Sequence, residues 1–141
     1  MSKIHTITCH TFAVAILSLL PNSAWAQSTV TWDAGTDFIW DTTTSNWTGT
    51  TYTNGDDAQF LGSGAGTVTL SGTINPGSVT VNSANDYTFS GTAITGSGSL
   101  TKDGSGILTL SSDMTYTGGT TVNGGELQLN SGDNTLAASS S

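Results

Sequence analysis

Six carboxylates, one lysine and a group of aromatic rings are the side chains in this sequence with chemistry to offer. Asp56, Asp57, Asp86, Asp103, Asp113 and Glu126 lie in or beside stretches rich in Gly, Ser, Thr and Asn. Two carboxyls at a set separation, one with its pKa raised, are what glycoside hydrolysis needs. Polysaccharide lyases also need a cation to neutralise the substrate, and beyond residue 26 only Lys102 is available. The carboxylates therefore read as solvated turn residues, and Lys102 as a surface corner residue paired with Asp103 or Asp113 rather than a catalytic amine. Asp56-Asp57 could touch calcium, but it lacks the spaced oxygen ligands of a calcium loop and reads as a turn. Trp32, Trp40, Trp47 and Tyr52 have two readings: a platform on which sugar rings stack, or a plug that closes one end of the fold.

What is missing narrows the chemistry further. The chain has 141 residues, two basic residues against ten acidic ones, a net charge of -8, one cysteine and two histidines. His5, Cys9, His10 and Lys3 all fall within the first ten residues. After them come the apolar run 12–20, Pro21 and the small-residue end Ala24-Trp25-Ala26. A basic start, a short apolar core and an A-x-A end form the pattern of a secretory signal peptide, with Ala24 and Ala26 marking cleavage. The apolar run is also shorter than the roughly 20 residues a permanent helical anchor needs. A mature chain from Gln27 to Ser141 keeps no Cys, His or Arg. That excludes Ser-His-Asp and Cys-His nucleophiles, zinc sites built on His or Cys, and disulfides. It also argues against nucleic acid, whose binding rests on Lys and Arg. No cofactor is implied. Asn46-Trp47-Thr48 fits a glycosylation pattern that arises often by chance, and Gly62, Gly64 and Gly66 lack the spacing and the helix of a nucleotide loop.

The elements that must carry these residues are strands. VTLSG (68–72), VTVNS (79–83), YTFSG (87–91), LTLSS (108–112) and LQLNS (127–131) each alternate apolar and polar residues and end in turn formers. Val68, Tyr87, Leu108 and Leu127 recur at steps of 19, 21 and 19. Val79, Leu100 and Val122 step by 21 and 22, and Ile74, Ile94 and Tyr116 by 20 and 22. Units of this size cannot bury their apolar faces alone and must stack on neighbours. The reading is all-β: a right-handed parallel β-helix, a solenoid with three short strands per roughly 20-residue coil. Residues 27–61 fall outside the repeat and hold the three tryptophans, so they read as an aromatic-rich N-terminal cap ahead of coils at 62–141. The last coil exposes a strand edge open to edge-to-edge self-association.

The stretch 96–132, GSGSLTKDGSGILTLSSDMTYTGGTTVNGGELQLNSG, closely resembles the autotransporter-associated β-strand repeat. Leu100, Thr101, Lys102, Gly104 and Gly106 match its first part, Tyr116 to Val122 its middle, and Gly125, Leu127 and Leu129 its last strand. Upstream, Trp40, Asp41, Asn46, Trp47, Asn54, Gly55, Asp56, Ala58 and Phe60 resemble, by order and spacing, the leader ahead of such repeats. The resemblance implies a non-enzymatic passenger segment of type V secretion, exported by its signal peptide to the cell surface, outer membrane or medium. Its implied partner is an outer-membrane β-barrel translocator in cis. The sequence holds one clear copy of the repeat and no barrel strands, so it reads as the N-terminal piece of a larger protein. A carbohydrate-binding or adhesin module using the tryptophans on a surface polysaccharide is the alternative, and a polysaccharide lyase or hydrolase fragment a more distant one.

Overall fold

A computed structural model of the chain describes residues 27–35, 37–131 and Leu136; the signal segment 1–26, with Ala24 and Ala26, lies outside the described residues. Ten short strands follow one another: β1 (Thr29–Thr31), β2 (Ile39–Trp40), β3 (Asp57–Phe60), β4 (Gly66–Leu70), β5 (Ser78–Asn82), β6 (Tyr87–Gly91), β7 (Ser99–Asp103), β8 (Ile107–Leu110), β9 (Thr120–Val122) and β10 (Glu126–Leu129). Odd strands form one sheet in the order β1-β3-β5-β7-β9, and even strands another in the order β10-β8-β6-β4-β2. Every pairing between them is parallel. The chain is a parallel β-solenoid of about three turns with coils of about 21 residues.

The expected three strands per coil become two strands and a thinner third side. That side is held by the parallel bridge Ile74↔Ile94 and by single bonds such as Thr95 N–H to Ile74 O at 2.8 Å and Thr115 N–H to Ile94 O at 3.0 Å. The stretches 73–77, 92–98 and 112–119 carry Pro76 or several glycines, which thin the ladder to isolated bonds.

Register follows from alternation, because each strand's inward residues stack on those of the next coil. On the odd sheet, Val30, Ala58, Val79, Leu100 and Thr120 form one inward column, and Phe60, Val81, Lys102 and Val122 another. On the even sheet, Tyr87, Leu108 and Leu127 form one column, and Val68, Phe89, Leu110 and Leu129 another. Val68 thus aligns with Phe89, not with Tyr87, and Leu100 with Thr120, not with Val122. A two-residue slip keeps the same face inward, so hydrophobicity alone does not reveal it.

The N-terminal segment is more integrated than a separate cap. β1 and β3 pair in register with the odd sheet, and β2 with the even one, so the first coil starts at Thr29, inside 27–61.

Candidate functional site

The molecule has two unlike ends. At the N-terminal end, Trp32, Trp40 and Tyr52 are 0% exposed and Trp47 1%. Trp40 lies 5.3 Å from Trp47 and from Phe60, 5.4 Å from Tyr52 and 5.7 Å from Phe89, ring centre to ring centre. Trp32 lies 5.1 Å from Trp47 in an edge-to-face contact. Such pairs add about 0.5–1.5 kcal/mol each beyond the area they bury. The reading as a sugar-stacking platform is therefore corrected: Trp32, Trp40, Trp47 and Tyr52 turn their faces to one another, and no ring face is open to a sugar. The Nε1 atoms of Trp40 and Trp47 are buried and meet no hydrogen-bond acceptor atom. Enclosed by rings, they have N–H···π contact as the available compensation.

Local sequence builds this plug. The antiparallel bridges Trp32↔Trp47 and Trp47↔Thr50 fold 32–50 across the end of the first coil. Asn46 is 0% exposed and donates through Nδ2 to Asp37 Oδ1 at 2.6 Å and to Ile39 O at 2.8 Å. Its side chain is an internal tie, not an accessible glycosylation acceptor. Asp41 accepts from the backbone N–H and hydroxyl groups of Thr43 and Thr44. Burial raises its pKa, but those four bonds outweigh it and hold the carboxyl below its ordinary value. Gly64, at φ +57°, lets the chain pass close to Trp32, whose Nε1 donates to Gly64 O at 3.0 Å; a Cβ there would lie 2.8 Å from that nitrogen.

Lys102 requires the largest correction. It lies inward on β7, 1% exposed, in the column of Phe60, Val81 and Val122. Its Nζ donates to Asp103 O at 2.6 Å, Gly104 O at 3.1 Å and Gly124 O at 3.3 Å. Three ammonium hydrogens thus meet three carbonyls, two on its own corner and one on the corner of the next coil. Burial lowers its pKa from the ordinary lysine value, opposed by the negative charges of Asp103 and Asp86. Gly125 makes room: it has φ +65°, and a Cβ there would lie 2.8 Å from Lys102 Nζ. Alternation on 99–103 was the available signal, since Leu100 inward obliges Lys102 inward.

The carboxylates serve separate corners. Asp56 accepts from Thr53 N at 2.8 Å and Ser28 N at 3.3 Å, and Asp57 from Ser78 Oγ at 2.6 Å. Asp86 accepts from Ile107 N at 2.7 Å, Asp103 from Asn123 Nδ2 at 2.8 Å, and Glu126 from Gln128 Nε2 at 3.0 Å. Asp113 is exposed. Among the described residues no three of His, Cys, Asp and Glu group as metal ligands do. Beside the closed end, Ser28, Thr29, Thr51, Thr53, Asn54 and Asp56 line a groove of about 630 Å³.

At the C-terminal end, Val122 is 48% and Leu129 44% exposed, although their columns are buried in the coils below. β9 pairs only with β7, and β10 only with β8.

Residues 100–129 match the family described as Passenger-associated-transport-repeat, a repeat found in autotransporter passenger domains. The match runs from Leu100 on β7 to Leu129 on β10, and so includes both Lys102 and the Gly124 carbonyl it holds. Neither the curated proteins nor the solved structures compared with the chain match it.

Proposed function

We propose that this chain is a non-catalytic, exported passenger segment of an autotransporter, a β-helical scaffold that leaves the cell unfolded and folds outside the outer membrane. The observation that carries this reading is the match at 100–129, which falls on the step where one coil is laid on the next. The physical argument is one of order. Most strands pair with the coil before, so each arriving coil finds its template already formed. No disulfide has to form after passage, because the sequence beyond residue 26 holds no cysteine. Residues 1–26 act as the export signal, cut after Ala26, and a barrel translocator in cis completes the route.

The test is to place the chain upstream of an outer-membrane barrel in a Gram-negative host and digest intact cells with protease. Surface-exposed material whose N-terminus is Gln27, lost when 1–26 are deleted, is the expected result. Material held in the cytoplasm with 1–26 intact overturns the reading.

A second reading, adhesion to a surface polysaccharide, is favoured by the groove beside the closed end, where hydroxyls, an amide and a carboxylate suit a neutral sugar chain. Thr53→Trp, which fills that groove, should abolish retention on immobilised polysaccharide if the reading holds. Retention unchanged by it, or absent in the unaltered chain, removes it.

A further inference from the structure

We infer that the open C-terminal face is a docking surface for a second copy of this chain, and that two copies join end to end and stop at two. The face is a section through the core. Val122, Leu127 and Leu129 top columns whose members one coil below, Lys102, Leu108 and Leu110, are at most 1% exposed. A core cut across in this way is what obligate homodimer interfaces resemble. Next to it, β9 and β10 each leave a row of backbone donors and acceptors unpaired with any other strand.

Charge, composition and the other end of the molecule favour this occupant. In a chain of net charge -8, β9 carries no formal charge and β10 only Glu126, which points outward and is engaged with Gln128. Two such faces meet without burying like charges. The chain's own last residues bring little cover: Leu136 packs against the core, and the rest of 132–141 is Gly, Asp, Asn, Thr, Ala and Ser. The N-terminal end cannot receive this face, because the indoles and the bridged loop 32–50 occupy the corresponding section. Head-to-tail stacking, which would run on into fibres, is therefore blocked. What remains is the same face on another copy, related by a two-fold axis across the solenoid. That axis reverses strand direction, so the edges meet antiparallel and the assembly closes.

Sedimentation equilibrium of the purified chain should show a reversible monomer–dimer equilibrium with no larger species. The double variant Val122→Asp/Leu129→Asp should be monomeric at every concentration, while Thr69→Asp, exposed on the outer side of β4, should dimerise like the unaltered chain. Fluorescence of the buried indoles, at the far end, reports whether the double variant keeps its fold. Should it unfold, hydrogen exchange of the unaltered chain decides instead: amides of 120–122 and 126–129 should gain at least tenfold protection between dilute and concentrated samples. A monomer at all concentrations, open-ended polymers, a dimer that survives the double variant, or exchange at 120–129 that ignores concentration would each overturn the inference.

Discussion

The first and last coils of this solenoid face the same problem and treat it in opposite ways. At the N-terminal end, three indoles, a tyrosine and the bridged segment 32–50 fold over the section of the core, and nothing large and apolar in the plug stays wet except Phe38. At the C-terminal end, the columns stop with Val122, Leu127 and Leu129 against solvent. The difference gives the structure a polarity. Coils can be added at one end only, and the stability of each depends on how many coils lie between it and the opening.

Truncation at the two ends should therefore differ sharply. Trp40→Ala removes the ring that touches Trp47, Tyr52, Phe60 and Phe89, and should cost about 3–5 kcal/mol, lowering the denaturant midpoint of the whole chain. A loss confined to the first coil, with β5 to β8 unaffected, would mean that the plug does not organise the stack.

Lys102→Met keeps the length of the side chain but leaves the carbonyls of Asp103, Gly104 and Gly124 without their donor, at a cost of about 1–3 kcal/mol. The effect should be local to the open end: hydrogen exchange should quicken across β9 and β10 before β3 to β6 respond. Uniform quickening along the chain would show that Lys102 is an ordinary core residue.

High pH should loosen both ends by a smaller amount. Burial raises the pKa values of Tyr52, Tyr87 and Tyr116, most strongly at Tyr52, where the charge of Asp56 adds to it. The folded state therefore holds these protons above the unfolded value of about 10, so their stabilising contribution is complete below that pH and is lost as pH rises past it. Chemical unfolding between pH 8 and 11.5 should show this decline, and Tyr52→Phe should flatten it. A decline as steep in Tyr52→Phe as in the unaltered chain would assign it elsewhere.

The smallest effect is expected at the opening. Leu129→Ala, measured where the chain is monomeric, should change stability by no more than about 0.5 kcal/mol, because the side chain is still half wet. A loss like that expected at Trp40 would mean that the last coil is covered in the monomer.

How much of this was legible in the sequence depended on whether a physical rule is periodic or local. The solenoid and its coil length were readable because inward residues recur in every turn. The alignment of Val68 with Phe89 was not, since alternation repeats every two residues and a slip of two leaves the apolar pattern intact. Lys102 was misjudged because charge was given more weight than strand parity, although Leu100 had already settled which way residue 102 points. The indoles were located correctly but left two readings open, because composition places aromatic rings near one another without saying whether their faces meet each other or a ligand. The third side was overestimated for a different reason: Ile74 and Ile94 do pair, but their neighbours make single bonds rather than a ladder.

The run of hydrogen bonds along the solenoid axis has a mechanical consequence. A pull on the C-terminal end loads the bonds of the last coil one after another instead of all together, so the stack yields by peeling rather than by shear. Each coil released gives up about 4.8 Å of height and yields roughly 70 Å of extended chain for about 21 residues. The open end therefore behaves as a low-force, long-travel reel, and the indole plug is the hub on which it stops.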